Sequence, residues 1–243
     1  MKKTFLLSCL MLAAMPVMAA YTGHVYVDKN KNGVFDQSEK PLAGIKVSDG
    51  LNVVETAADG SFTLPGHERE RFIFITTPSG YKTFNRHYHK IEKKQSGYDF
   101  GLIPYSGRIR KDGSHRYIHI TDTEIFNTEN HADWVNNVHD YARNEQAAFI
   151  IHTGDICYEK GLKAHIKLMN TENMDCPVFY CIGNHDLVKG KYGEELFESI
   201  YGPVYYSFDA GNVHYVVTPM PGGDHAPGYT SDDVCRWLKN DLC

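Results

Sequence analysis

The chain has 243 residues, with 25 Lys and Arg against 30 Asp and Glu, for a net charge of −5 at pH 7. This length fits two domains better than one. The acidic balance excludes the basic surface that nucleic-acid binding requires, so we expect no nucleic acid among the partners.

Residues 1–19 are predicted to be a signal peptide. Lys2 and Lys3 precede a short apolar stretch, and Ala19 closes a small-residue cleavage site. The apolar stretch is too short to serve as a transmembrane anchor. We therefore expect an exported protein, periplasmic or extracellular, with no transmembrane anchor.

Residues 21–104 are predicted to form an all-β sandwich domain. Short alternating runs of apolar residues recur in this segment, and Asp-Gly and Pro-Gly turns separate them. Regular short strands with such turns are typical of a β-sandwich. Residues 105–114 have the composition of a linker.

A calcium-type loop lies between the first two predicted strands. Residues 28–39 satisfy the pattern D-x-N-x-N-G-x5-E, in which Gly33 makes the sharp turn. The predicted calcium ligands are Asp28, Asn30, Asn32, Val34, Asp36 and Glu39. Because the flanking segments are strands, we expect structural calcium in a loop that is not an EF-hand. An Asx-rich turn that needs no ion is the alternative.

Three polar signatures in residues 115–243 each follow an apolar run. They are Thr121-Asp122-Thr123-Glu124, His152-Thr153-Gly154-Asp155 and Gly183-Asn184-His185-Asp186. Open α/β sheets build active sites from polar residues at the carboxyl ends of their strands, so we expect the three signatures to converge.

The chemistry predicted for these signatures is a two-metal site. The predicted metal ligands are Asp122, Glu124, Asp155 and Asn184, with Asp155 as the candidate bridge. Such oxygen donors suit divalent Mn, Fe or Zn. Two metals roughly 3.5–4 Å apart can hold a hydroxide and clamp a phosphoryl group. His185 would protonate the leaving oxygen or stabilise the charged transition state, and is the predicted catalytic residue.

Helical patterns alternate with these strands. Residues 130–145 carry a stripe of apolar residues that includes Trp134 and Tyr141, and a closing helix is predicted after Ser231 as its N-cap. Residues 205–217 are predicted to form a hairpin. This alternation favours a layered α/β domain over residues 115–243.

The order of the three signatures resembles the calcineurin-like metallophosphoesterase family. Asp122, Asp155, Asn184 and His185 match the family positions. The resemblance, which extends to secreted bacterial members, implies an αββα sandwich and metal-dependent hydrolysis of a phosphomonoester or phosphodiester. The substrate would be a phosphorylated small molecule, lipid or protein. Glu124 stands where the family usually has His, and this carboxylate favours Mn over Fe or Zn.

Two downstream motifs of that family, a His and then G-H-x-H, are not found in this sequence. We therefore expect a truncated domain, the first half of an αββα sandwich, with an apolar sheet face left exposed. His214 and His225 are the late histidines; we expect His214 in the sheet, and His225 is ambiguous. A catalytically incompetent truncated form that acts as an exported binding module is the alternative function.

A second phosphatase family fits the first signature alone. Asp122-Thr123-Glu124 after a strand resembles the D-x-D motif of haloacid dehalogenase-like phosphatases, in which Asp122 would form an aspartyl-phosphate. This interpretation leaves the signature at residues 183–186 unexplained, so it ranks second.

Overall fold

The computed structural model describes residues 20–95, 97–106 and 108–243. The predicted signal peptide at residues 1–19 lies outside the described residues. Among the residues that are described, no helix is long and apolar enough to cross a membrane.

The amino-terminal part of the described chain is built from nine strands. They are β1 (Tyr21–Val27), β2 (Lys40–Pro41), β3 (Lys46–Ser48), β4 (Val53–Glu55), β5 (Ser61–Leu64), β6 (Phe72–Ile75), β7 (Tyr81–Thr83), β8 (Tyr88–Lys90) and β9 (Phe100–Pro104). One sheet has the order β2-β1-β9-β7 with β5 also paired to β1, and the other has the order β4-β3-β6-β8. Side chains from both sheets share one buried core, which includes Val25, Val47, Ile73 and Leu102. The region is β-rich as predicted, and its finer description as a sandwich remains a prediction.

The second part of the chain mixes helices and strands. Its elements are β10 (Tyr117–Ile120), α1 (Ala132–Asn144), β11 (Phe149–His152), α2 (Glu159–Leu168), β12 (Val178–Tyr180), α3 (Glu195–Tyr201), β13 (Tyr206–Ala210), β14 (Val213–Val217) and α4 (Ser231–Asp241). Strands β10, β11 and β12 form a parallel sheet, and β13 pairs with β14 as an antiparallel hairpin. The mixed α/β character and the hairpin agree with the sequence analysis.

Two details of the helices differ from the predictions. Trp134 and Tyr141 are 41% and 61% exposed, whereas Val135 and Ala142 are buried. Each residue turns about 100° around a helix axis, so the residue next to a buried one points away from the core. Helix α4 is capped by Thr230 rather than Ser231, because the Thr230 hydroxyl accepts a hydrogen bond from Asp233 N in a capping box.

The prediction of an exposed sheet face is wrong. Phe149 and Phe179, from β11 and β12, are buried in a second core together with Phe208 and Trp237 from the hairpin and α4. Strand β6 alternates its side chains between the two cores, since Ile73 and Ile75 face the first while Phe72 and Phe74 face the second. The hairpin therefore covers the sheet face that was expected to be open, since Phe208 lies 5.0 Å from Phe149 and 3.6 Å from Phe179 between ring centroids, and the β-rich region joins the same core.

A buried ion cluster joins the two regions. Arg71, just before β6, lies 2.9 Å from a carboxylate oxygen of both Glu194 and Glu198 at the start of α3. Glu194 is 0% exposed and Glu198 is 5% exposed. Burial raises the pKa of Glu198 to about 7, and the nearby Arg71 guanidinium opposes that rise. The cluster places two desolvated carboxylates around one cation.

His214 also stabilises the junction between elements. Its ring nitrogens lie 2.7 Å from Asp209 Oδ1 in β13 and 2.9 Å from Asp241 Oδ2 in α4. Burial lowers the pKa of His214, but the hydrogen bonds with the two carboxylates outweigh it, and the net direction is upward. This stabilisation is complete below the ordinary histidine pKa and is lost as the pH rises through the folded-state pKa. The position in a strand of the hairpin agrees with the expected sheet role.

Candidate functional site

The strands that carry the three signatures end level with one another at one edge of the parallel sheet. Ile120 at the end of β10 pairs with His152 at the end of β11, and His152 pairs with Tyr180 at the end of β12. Each signature therefore lies in or just beyond a carboxyl end of this sheet. This is the arrangement in which open α/β sheets hold their ligands.

The three predicted acidic ligands share a strained backbone. Asp122, Glu124 and Asp155 have φ values of 54°, 49° and 50°. The left-handed conformation costs roughly 1–2 kcal/mol for a residue other than glycine. Strain of this kind persists only where the surrounding structure holds it, and it clusters at functional sites.

Two glycines allow the second and third loops to touch through their backbones. A Cβ on Gly154 would lie 2.5 Å from Gly183 N, and a Cβ on Gly183 would lie 2.2 Å from Asp155 Oδ1. No other residue fits either position without displacing the neighbouring loop. The carboxylate of Asp155 also accepts a hydrogen bond from His185 N at 3.1 Å. Asp155 therefore contacts the third loop directly. The carboxylate oxygens of Asp122, Glu124 and Asp155 do not all lie within 4.8 Å of one another in the described part of the chain, so the structure brings their loops together but not their ligand atoms.

The buried carboxylate of Asp186 links the second and third loops through hydrogen bonds with their backbones. Its Oδ1 accepts hydrogen bonds from Ile156 N at 2.9 Å and Cys157 N at 3.1 Å, and its Oδ2 accepts one from Gly183 N at 2.9 Å. Burial raises its pKa to about 6, while the three backbone donors oppose that rise. Asp186 is the last residue of the third signature, and the sequence alone indicates no role for it.

His185 is held through one ring nitrogen. Its Nδ1 lies 2.8 Å from Tyr158 Oη and 3.1 Å from Asp224 Oδ2. The hydrogen bond with Asp224 raises the pKa of His185, burial opposes this, and the charges of Asp155 and Glu124 add to the rise. Both contacts use Nδ1, so neither of them occupies Nε2. Neither Tyr158 nor Asp224 was found by sequence reasoning, since nothing local to them marks their proximity to His185.

The late histidines occupy different places. The backbone N of Asp224 donates to the carbonyl of Asn184 at 3.2 Å, so the loop that carries His225 lies against the third signature. His225 itself is exposed. Both ring nitrogens of His214 form hydrogen bonds with Asp209 and Asp241, away from the three signatures.

The donor set fits divalent metals in its chemistry. Asp122, Glu124 and Asp155 form no ion pair with Lys or Arg among the described residues. Asn184, in the third loop, carries an amide oxygen of the same ligand type. Several carboxylates without a cationic partner, at the end of a sheet, are a set that a hard cation neutralises.

A group of residues outside the three signatures has ligand atoms close enough together to bind a metal ion. Across residues 20–95, 97–106 and 108–243, the one group of three His, Cys, Asp or Glu ligand atoms within 4.8 Å of one another is Asp49, His67 and Glu70. It lies in the β-rich region, and the sequence analysis did not find it. Glu70 accepts hydrogen bonds from Tyr21 Oη and His67 N, and Asp49 Oδ1 accepts from Asn52 N at 2.7 Å. These bonds hold the group together without an ion.

In the calcium-type loop, two of the predicted ligands accept hydrogen bonds from backbone N–H groups of the same loop. Asp28 Oδ2 accepts a hydrogen bond from Gly33 N at 2.9 Å, and Glu39 Oε1 accepts one from Lys29 N at 2.8 Å. Gly33 has a φ of 71°, as the predicted sharp turn requires. Beside the loop, the buried hydroxyl of Tyr26 has no hydrogen-bond partner among the described residues.

Comparison with protein families finds two matches. Residues 29–104 match the model described as the N terminal of Calcineurin-like phosphoesterase. Residues 115–236 match the model described as Calcineurin-like phosphoesterase. No curated protein matches the sequence significantly.

Proposed function

Because the chain belongs to the calcineurin-like phosphoesterase family, we propose that it is a metal-dependent hydrolase of phosphomonoesters or phosphodiesters. The observation that carries the proposal is the set of three strained acidic residues, Asp122, Glu124 and Asp155, at the carboxyl edge of the parallel sheet. The family acts on phosphorylated substrates. We also propose that the natural substrate is a phosphorylated small molecule, lipid or protein. Export of the protein and an αββα sandwich for its second domain are further parts of this proposal.

Each residue has a role in this proposal. Asp122, Glu124, Asp155 and Asn184 would hold two divalent metals, with Asp155 shared between them and Mn favoured by the carboxylate of Glu124. Metals bound there supply Lewis acidity towards a phosphoryl oxygen and lower the pKa of water. Asp224 and Tyr158 hold the Nδ1 side of the His185 ring. His185 can then donate a proton from Nε2 to the leaving oxygen.

Replacing His185 by Ala tests the catalytic assignment. We expect kcat to fall by roughly 10²–10⁴-fold, the usual contribution of general acid catalysis. The loss should be larger for phenyl phosphate than for p-nitrophenyl phosphate, because phenolate is the poorer leaving group and needs the proton more. Initial rates with both monoesters and with bis-p-nitrophenyl phosphate, under added Mn²⁺, provide the measurement.

His24→Ala is the control, since His24 is a half-exposed residue of β1 in the β-rich region and pairs with Asp99 there. It should leave the rates unchanged. Full activity in the His185→Ala variant would contradict the assignment. A wild-type chain that binds Mn²⁺ but hydrolyses none of the three esters would favour the exported binding module instead; that alternative gains support from the absence of a histidine in the predicted ligand set.

Calcium in the loop at residues 28–39 is the second cofactor that we propose. Two observations support calcium binding. Residues 28–39 match the calcium-loop pattern at every ligand position, and the buried hydroxyl of Tyr26 beside the loop has no hydrogen-bond partner among the described residues. Calcium at about 100 times its Kd should add roughly 2.7 kcal/mol of stability. The melting temperature of the full chain should then rise by several degrees in wild type and not in Glu39→Gln. An equal response of both chains to Ca²⁺ would exclude the loop as the binding site.

A further inference from the structure

We propose that His152 is a positioning residue for the first signature loop and that it acts through the hydroxyl of Thr123. This inference rests on the proposed function, because it concerns how the chain holds two of its predicted metal ligands, Asp122 and Glu124. His152 is the last residue of β11 and is fully buried. His152 opens the signature at residues 152–155, in which only Asp155 was predicted to bind metal.

The hydrogen bonds around His152 define its tautomer. Gly154 N lies 3.2 Å from His152 Nδ1 and can only donate, so Nδ1 carries no proton. The proton is therefore on Nε2, which lies 2.9 Å from Thr123 Oγ1 and donates to it. The Thr123 hydroxyl is then free to donate onward to the carbonyl of Ile156 at 3.3 Å. Every donor in this chain of bonds meets one acceptor.

The environment keeps His152 neutral. Burial lowers its pKa to about 4, and the charge of Asp122 opposes that shift without cancelling it. At neutral pH the ring therefore holds one proton, and the bond to Gly154 keeps that proton on the nitrogen that faces Thr123. A buried polar chain with all members satisfied is rigid, because an unpaired group there costs free energy.

Thr123 is the position where such a support is needed. It lies between Asp122 and Glu124, both in the left-handed conformation. Backbone bonds hold the loop on either side, from Asp122 N to the carbonyl of Gly154 at 3.1 Å and from Ile125 N to that of Ile156 at 3.3 Å. The Thr123 hydroxyl is the side-chain attachment between them. Removing it releases the strained segment that carries both carboxylates.

Packing alone is the competing role for His152. Its ring meets that of His165 in α2 edge to face, with centroids 5.1 Å apart. A packing role predicts that the Thr123 hydroxyl is dispensable, whereas the positioning role predicts that it matters as much as the imidazole does. Substitutions of Thr123 therefore distinguish the two roles, whereas substitutions of His152 do not.

The test compares Thr123→Val with Thr123→Ser in the full chain. Metal-free protein is titrated with Mn²⁺ alone in a calorimeter, and kcat and KM are then measured separately with the metal-loaded protein. Loss of a residue that orients a ligand weakens metal binding by about 10–100-fold, so we expect that loss in Thr123→Val. Thr123→Ser keeps the hydroxyl and should bind Mn²⁺ within about threefold of wild type, since an intact bond leaves affinity nearly unchanged.

Three further variants complete the design: Thr171→Val, His152→Leu, and the double variant of Thr123→Val with His152→Leu. Thr171→Val removes a hydroxyl that accepts a hydrogen bond from Val178 N at 3.1 Å, at the amino end of β12, and serves as the matched control with unchanged Mn²⁺ affinity. The double variant of Thr123→Val with His152→Leu should bind Mn²⁺ no more weakly than the worse single variant, because both break one chain of bonds.

Three results would overturn the proposal. They are wild-type affinity in Thr123→Val, equal losses in Thr123→Val and Thr171→Val, and additive losses in the double variant. If wild type binds Mn²⁺ without hydrolysing phosphoesters, the proposed function fails while the affinities still decide this inference. A wild-type chain that binds no Mn²⁺ contradicts both.

Discussion

Replacing Asp155 by Asn is expected to lower kcat for phosphoester hydrolysis by about 10³-fold or more. A bridging carboxylate supports several kcal/mol of transition-state stabilisation by the metals, and each 1.36 kcal/mol corresponds to a factor of ten. Asparagine removes the charge and one of the two ligand oxygens. It also tolerates the left-handed backbone that Asp155 adopts, so the loop should keep its conformation. The loss is therefore attributable to the missing carboxylate.

The measurement for Asp155→Asn combines three quantities: kcat under added Mn²⁺, bound Mn²⁺ per chain, and the melting temperature. Asp175→Asn is the matched control, because Asp175 has a φ of 55° and lies in the segment before β12, at the amino end of the sheet. It should retain wild-type rates. An Asp155→Asn variant with a rate within tenfold of wild type would exclude Asp155 as the shared ligand.

Arg71→Met should cause the largest loss of stability among single substitutions at the junction of the two regions. Removing one partner of a buried ion pair typically costs 3–5 kcal/mol, because the remaining charge stays desolvated. Here Glu194 and Glu198 would both lose their cation. For a chain of this size, we expect the melting temperature to fall by roughly 10 °C.

The effect of Arg71→Met should depend on pH. Burial already raises the pKa of Glu198 to about 7, and loss of Arg71 raises it further. A carboxyl group with a raised folded-state pKa is most stabilising below its unfolded pKa, and this stability is lost as the pH rises. Denaturant unfolding should therefore show a steeper decline between pH 5 and 8 in the variant than in wild type.

Arg116→Met is the control for the buried cluster. Arg116 pairs with Glu145 at 2.7 Å, but both side chains are exposed. Exposed pairs contribute about 0–1 kcal/mol, so this substitution should be nearly neutral. Equal destabilisation by the two substitutions would show that burial does not set the strength of the Arg71 cluster. Adding Glu198→Gln to Arg71→Met should restore part of the stability.

The sequence was sufficient to predict that three polar loops lie at one edge of the sheet, while the ligand roles of their residues stay predictions. Apolar runs ending in polar residues place Asp122, Asp155 and Asn184 at the ends of strands, and a parallel sheet then brings those ends to one edge. The Asp-x-Asn-x-Asn-Gly pattern similarly marks the loop at residues 28–39, whose turn at Gly33 has the expected backbone. Both inferences depend on local spacing, which a sequence contains directly.

What the sequence could not predict depends on residues that are distant along the chain. The exposed sheet face was expected because two downstream motifs were not found, but Phe208 of the hairpin packs on Phe149 and Phe179, and Phe72 and Phe74 from the other region join that core. The contact of Asp224 with His185 spans 39 positions. Such pairings follow from the packing of whole elements.

Backbone strain was equally invisible in the sequence. Asp122, Glu124 and Asp155 are ordinary acidic residues by composition, and only their surroundings force a positive φ. The supports that hold them, His152 and Asp186, are buried polar residues inside the signatures whose partners become apparent only in the folded chain. The roles of such residues therefore require a structure.

The most direct test of the central claim is the rate of phosphoester hydrolysis by metal-free chain as Mn²⁺ is added. p-Nitrophenyl phosphate and bis-p-nitrophenyl phosphate serve as substrates, with a chelator added at the end. We expect no turnover without metal, a rate that rises and saturates as Mn²⁺ binds, and loss of that rate on chelation. Turnover that does not change between metal-free and metal-loaded chain, or no turnover of either ester at saturating Mn²⁺, would contradict it.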